Sequence, residues 1–322
     1  MANMIQCILG GALAVLAGAA LAQGYPAKPI RFVVPFPPGG GTDLVARTVA
    51  TKLTETKKWA IVIDNKPGAG GNLGIAEAVK SAPDGYTMVV GQTSNLAINP
   101  TLYRSLPYDP VRDLAPVVLM VSAPIILVTS DKRPFRSVAD VVAAAKAKPG
   151  HLSYASPGNG TVAHLTAELF QRAAGIQLSH IPYKGASQAM TDLMGGQVDL
   201  YLSSVPSAIG QVKGGKLRAL AVTGAKRSAE LPEVPAIAES GYQGFEVTTW
   251  YGLLFPAGTP EAIVKQMNGE VNQVLKQPDV RSRLAAEGGD VLGGTPGEFS
   301  ALLKTDLARW GTIVKQSGAK VD

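Results

Sequence analysis

The chain has 322 residues, 46% of them hydrophobic, and a net charge of +6, which is length enough for two domains with cores of their own. Its lysines and arginines are scattered with few aromatics between them, which excludes a nucleic-acid stripe and leaves a mild attraction for small anions. One cysteine, Cys7, and three histidines, His151, His164 and His180, with no HExxH pattern, exclude thiolate and iron–sulfur chemistry from the body of the chain and argue against a metal; no cofactor is expected.

Residues 1–22 carry no charged side chain, and the small apolar run before Ala20-Leu21-Ala22 reads as a secretory signal cleaved near Ala22. Its first six residues lack Lys and Arg, which leaves a misplaced start codon or an uncleaved anchor as alternatives. The run is short for a membrane span, and no other segment approaches that length, so the mature protein is expected to be soluble.

The stretch 30–34 is short, β-branched and apolar, as a buried strand requires, and Pro35, Pro37 and Pro38 stop it. Gly39, Gly40 and Gly41 then let the backbone turn, Thr42 or Asp43 caps a helix, and Val45, Val49 and Leu53 recur on one helical face. A helix start presents unpaired N–H groups and partial positive charge, so it attracts carboxylate or phosphate without a lysine; Asp43 occupies part of that field. A second strand, 60–63, leads through the glycine turn at 65–72 to a helix over 73–81. A third, 87–90, ends in the polar cluster Gly91, Gln92, Thr93, Ser94 and Asn95, where strand C-termini in α/β sheets meet ligands.

Beyond the proline-stiffened 106–110 come the apolar runs 117–121 and 125–128. Ser137 and Asp140 form a capping box for an alanine-rich helix. Strand 152–155, turn 156–161 and helix 162–174 repeat the opening pattern, as do strand 178–181, the turn Pro182-Tyr183-Lys184-Gly185 and the helix through Met194. Strands at 198–202, 217–222 and 247–255 follow, then helices over 260–275, 279–286 and one capped by Thr295-Pro296-Gly297-Glu298. Two strand–turn–helix units in each half predict two α/β lobes joined by crossing strands.

Several patterns approach a motif and fail. Residues 210–217 match a P-loop until Leu217, where a Ser or Thr hydroxyl is needed, and precede a strand; Gly68 to Gly74 is one residue too long for GxGxxG, and no GxSxG elbow occurs. His164, one turn into its helix, either reaches a bound anion or bonds locally. Lys184 is either a cationic contact or a solvated loop lysine, and Asp43 and Asp199 either accept from a ligand or serve as structural caps. Trp250 and Tyr251 either wall a cleft or pack in the core. A hydrolase using Ser156 or Thr161 with His164 lacks an evident acid to orient the histidine.

Taken in order, Pro35-Phe36-Pro37-Pro38-Gly39-Gly40 with Thr42-Asp43, Asn65-Lys66-Pro67-Gly68-Ala69-Gly70-Gly71, Pro83-Asp84-Gly85-Tyr86, Leu106-Pro107-Tyr108-Asp109, Gly158-Asn159-Gly160-Thr161 with His164, and Pro182-Tyr183-Lys184-Gly185 with Val198-Asp199 resemble the Bug or TctC family, the periplasmic receptors of tripartite tricarboxylate transporters. The resemblance implies a type II periplasmic-binding-protein fold, each lobe a mixed sheet flanked by helices, with lobe 1 at 23–124 and 247–322 and lobe 2 at 125–246. It implies a carboxylate held between the turns at 37–42, 68–71 and 156–161, largely by backbone N–H groups, hydroxyls and waters. The ligand-binding set is then Phe36, Pro38, Gly39, Gly40, Thr42, Gly68, Ala69, Gly70, Thr93, Ser94, Ser156, Asn159, Gly160, Thr161, His164, Lys184 and Asp199, with Gln92, Asn95, Ser203 and Trp250 as further candidates for the distal wall. It further implies a monomeric, non-catalytic periplasmic protein that delivers its ligand to large and small membrane subunits; a receptor presenting the ligand to a membrane sensor is the alternative.

Overall fold

The computed structural model describes residues 24–317, 319 and 321; the stretch read as a signal, with Cys7, lies outside the described residues. The first sheet is built from β1 (Ile30–Val34), β2 (Ile61–Asn65), β3 (Thr87–Gln92), β9 (Thr248–Pro256) and the first part of β4 (Leu114–Ser130), in the order β2-β1-β3-β9-β4. β1 runs parallel to β2 and β3, whereas β9 is antiparallel to β3 and β4. The second sheet takes up the remainder of β4 with β5 (Ser153–Ser156), β6 (Ser179–Pro182), β7 (Leu200–Ser204) and β8 (Leu217–Val222).

The two apolar runs at 117–121 and 125–128 are thus one strand. β4 pairs with β9 as far as Pro124 and with β7 and β8 from Ile125 onward. Pro124 has no N–H to donate, so the strand changes partners where its ladder asks for one donor fewer. The change is clasped by buried Thr223: its Oγ accepts from Ile125 N at 2.9 Å and donates to the Val247 carbonyl at 2.6 Å. The chain returns to the first sheet immediately after Val247.

Side-chain alternation places Ile30, Phe32 and Val34 against one face of the first sheet, where α1 (Gly41–Lys57) packs with Val45, Val49 and Leu53, while Val33 joins the opposite face with Ile75 of α2 (Asn72–Val79). The polar cluster predicted after the third strand divides between elements: Gly91 and Gln92 end β3, and 94–98 form a π-helical turn that runs into α3 (Asn99–Leu102). The second lobe adds α4 (Val138–Ala147), α5 (Val162–Ala174), α6 (Ala186–Gly195) and α7 (Val205–Lys213). α8 (Glu261–Lys276), α9 (Pro278–Ala286) and, after the two-residue β10 (Asp290–Val291), α10 (Pro296–Ser317) complete the first lobe. Trp250 belongs to the core: its indole N–H reaches Asp306 at 2.6 Å and its ring meets Phe299 edge-on. Among the described residues, no helix is long and apolar enough to cross a membrane.

Candidate functional site

The ends of β1, β5 and β7 open onto one cleft between the lobes, and each is followed by a helix start. In the first lobe the turn 36–40 is built around Asp43. Its carboxylate accepts Gly39 N at 3.0 Å, Arg47 Nε at 2.8 Å and Asn65 Nδ2 at 2.9 Å. Burial alone would push this carboxyl up, but the bonds from Arg47, Gly39 and Asn65 hold it below its usual range. Asp43 is therefore structural, and Arg47 balances its charge, so the start of α1 keeps its own field for something else. Gly41 follows with its N–H on Ser207 Oγ at 2.8 Å, across the cleft. Glycine is required there by close approach: a Cβ would lie 2.5 Å from Tyr251 Oη and 2.9 Å from Ser204 Oγ.

In the second lobe the loop 156–161 leads into α5. Thr161 caps the helix by accepting His164 N, and Val162 N donates to Ser94 Oγ of the first lobe at 3.0 Å. α6 begins at Ala186, which faces Gly40, and its Ser187 Oγ donates to the Pro38 carbonyl at 2.9 Å. α7 begins after Ser204, whose hydroxyl lies 2.9 Å from Ser207 Oγ. Four helix starts thus meet on one inner cavity, lined among others by Thr42, Gln92, Ser94, Ser204, Thr249 and Tyr251. Among the described residues, no Lys, Arg, His, Asp or Glu lines it. It leaves about 50 Å³ for the centres of water molecules, room for very few.

Past Phe36, Pro37 and Pro157, which belong to both spaces, lies an outer chamber with about 420 Å³ on the same measure. Its walls are the glycine turn at 68–71, Tyr103, Asn159, Tyr183 and Lys184, and Lys184 is its only charged lining residue. Tyr183 donates to Asp192 at 2.8 Å, and burial together with that carboxylate pushes its phenol up to about 12.

Phe36, Gly40, Thr42, Ser94 and Thr161 accordingly line the inner cavity, and Gly68, Ala69, Gly70, Asn159 and Lys184 the outer chamber. The other predicted residues line neither space. Pro38 and Gly39 shape the first turn, and Thr93, fully buried, accepts Trp250 N at 2.9 Å. Ser156 is fully buried inside its own loop, with its Oγ 2.7 Å from His180 Nε2 rather than beside His164. Gly160 packs against Asn99, Leu102 and Tyr103, and His164 lines neither space and accepts Gly160 N. Asp199 precedes Leu200, about 17 Å along β7 from Ser204 at the strand's rise per residue. There it holds Ser153 N at 2.8 Å and Arg133 at 2.8 Å, so it is a structural anchor. Of the suggested distal wall, Gln92 lines the inner cavity, whereas Asn95, Ser203 and Trp250 do not.

Gly41, within the predicted turn 37–42, also lines the inner cavity, together with Ser204, Ser207 and Thr249, which the sequence reading does not name. The run Ser204-Val205-Pro206 did carry a signal, a capping residue with proline in the first helical turn.

Two α/β lobes joined by crossing strands, with a cleft of helix starts between them, are the fold of periplasmic binding proteins. The chain belongs to the family described as tripartite tricarboxylate transporter family receptor, TctC, which matches residues 45–319. It is 39% identical over 311 residues to the UPF0065 protein in the tcbD-tcbE intergenic region of Pseudomonas sp. (strain P51), covering 95% of this chain and 92% of that one. To the protein BugT of Bordetella pertussis it is 37% identical over 311 residues, covering 96% and 95%. Among solved structures it is similar to R. palustris Rpa4515 with adipate, at TM-score 0.90 and 34% identity over 92% of this chain and 100% of that one. MatC from Rhodopseudomonas palustris with bound malate gives TM-score 0.85 and 32% identity over 90% and 100%.

Proposed function

We propose that this protein captures a small carboxylate in the periplasm, closes its lobes on it and delivers it, as a monomer, to the membrane subunits of a tripartite tricarboxylate transporter. The observation that carries the reading is the meeting of four helix starts on a cavity lined by no charged side chain. A desolvated carboxylate without a cation needs several N–H and O–H donors and the positive ends of helices, and these are what α1, α5, α6 and α7 present. The Gly41 and Val162 N–H groups, held here by serines of the opposite lobe, take the ligand's oxygens in their place. The inner cavity opens past Phe36 onto the outer chamber, and a ligand that outgrows the first runs into the second toward Lys184. That the similar proteins hold adipate and malate supports an extended diacid.

The test is a thermal-shift series on protein lacking residues 1–22, refolded to remove carried-over ligand, against adipate, malate, citrate and phosphate. A ligand at a hundred times its Kd stabilises the native state by about 2.7 kcal/mol, a visible rise in Tm. The rise is expected with a diacid and lost in Gly41→Val, whose ligand-free melt reports that it folds. A response to phosphate with none to the acids would overturn the reading.

A further inference from the structure

The start of α5 is capped in an unusual way. In a capping box the side chain three positions after the cap, Glu or Gln, reaches back to the cap's own N–H. Here Thr161 is the cap, its N–H goes to the Gly158 carbonyl at 3.3 Å, and the residue three positions on is His164, whose Nδ1 accepts the N–H of the preceding Gly160 at 3.3 Å while Thr161 Oγ accepts His164 N at 3.4 Å. A glutamate in place of His164 would bring a full negative charge to the helix start that faces the cleft. A neutral imidazole brings none. We propose that His164 is a positioning residue for the anion site: a neutral cap whose Nδ1 lone pair fixes the Gly160 peptide, and with it the start of α5, without spending the field that holds the ligand. The ligand half of this rests on the function proposed above; the capping half stands without it.

The surroundings fit that role. The His164 ring is stacked on His180 of β6 at 4.3 Å and 7°, and His180 on Tyr154 of β5 at 4.7 Å and 15°. Glu168 lies 4.0 Å from His164 Nε2, and its carboxylate already accepts Tyr154 Oη at 2.6 Å and Gln171 Nε2 at 3.0 Å. Tyr103 and Asn99 close the far side of Gly160. Gly160 itself sits at φ +77°, a conformation the loop must be held in. With Nδ1 accepting, the ring proton is on Nε2, toward Glu168. Burial opposes a second proton, which would also set N–H against N–H at Gly160, and Glu168 pulls the other way.

The test uses ligand-free protein and side-chain ¹⁵N spectra of its histidines with the Gly160 amide followed from pH 8 to pH 4. His164 is expected as the Nε2–H tautomer, and the Gly160 amide is expected to move and lose exchange protection as His164 takes its second proton. His164→Asn, whose Oδ1 falls near the Nδ1 position, should keep Gly160 protected and remove the pH response, whereas His164→Leu should lose at least tenfold protection at pH 7. A His164 protonated on Nδ1 at neutral pH, or equal protection in the Asn and Leu variants, would overturn the proposal. Affinity for adipate separates the two halves: His164→Glu should keep Gly160 protected yet bind at least tenfold more weakly. If adipate binds no variant and not the wild type, the function proposed above fails and the capping result still stands.

Discussion

Ser94 and Val162 lie 68 residues apart and in opposite lobes, and the Ser94 hydroxyl accepts the Val162 N–H at 3.0 Å. The reverse arrangement is made by Gly41 of the first lobe and Ser207 of the second, at 2.8 Å. Each lobe thus caps a helix start of the other. On the function proposed above, these two bonds are exchanged for bonds to the ligand.

This exchange fixes the first expected outcome. A neutral hydrogen bond contributes about 1 kcal/mol net, so Ser94→Ala and Ser207→Ala should each shift the ligand-free protein about fivefold toward an open arrangement. Small-angle scattering of the double variant should show a larger radius of gyration than wild type without ligand. Identical curves would mean that closure is carried by the Pro37 and Pro38 contacts with α6 instead.

At the strand crossing, Thr223 is the one side chain that joins β4 to the returning segment through both Ile125 and Val247. Thr223→Val keeps shape and volume but leaves Ile125 N with no side-chain acceptor and Val247 O with no side-chain donor, at a cost of about 1–3 kcal/mol. Urea unfolding should show that loss with an unchanged slope, and Thr223→Ser should restore most of it. A Val variant as stable as wild type would mean that the crossing depends only on its backbone ladder.

How much of this was legible in the sequence differs residue by residue. The start of α1 could be read because its determinants are local: prolines end the strand, glycines turn it, and Val45, Val49 and Leu53 mark the helix. Ser204 and Ser207 reach the cleft only through the pairing of Ile125 with Ser204 across 79 residues, which no local pattern encodes. His164 was singled out by position, but its ring faces Gly160 because of the loop's φ angles, and the partner of Ser156 is His180, from a different strand. Asp199 has the residue type of a ligand contact and lies at the wrong end of its strand. Position along a strand, not residue type, decides which polar residues line the cleft.

Acid should weaken the second lobe through its histidines. His180 is held down to about 3 by burial and by the neighbouring His164, and His164 is held below its ordinary value of 6.5 by burial. Both are depressed, so the unfolded chain binds protons that the native state refuses. Stability is complete above about pH 6.5, begins to fall below it, and goes on falling until His180 titrates in the fold near 3. Tm measured from pH 8 to pH 4 should therefore decline, and decline less in His180→Gln, whose side-chain amide sits near Nε2 and can still meet Ser156. Equal slopes in the two proteins would assign the acid loss to carboxylates such as Asp43.

Lys184 is the only charged residue lining the outer chamber, and it is exposed, which sets both the sign and the size of its contribution. An exposed ion pair is worth about 0.2–1 kcal/mol, so Lys184→Met should weaken a diacid that reaches the chamber by at most about fivefold. Hexanoate has the chain length of adipate but no second carboxylate, so its binding should be unchanged by the substitution. Raising the salt to about 1 M, where the Debye length is about 3 Å, should remove most of the difference between wild type and variant for adipate. Calorimetric titrations of both acids into both proteins at two salt concentrations read this directly. Equal weakening of the two acids, independent of salt, would mean that the lysine acts through the packing of its alkyl stem on the chamber wall and not through its charge.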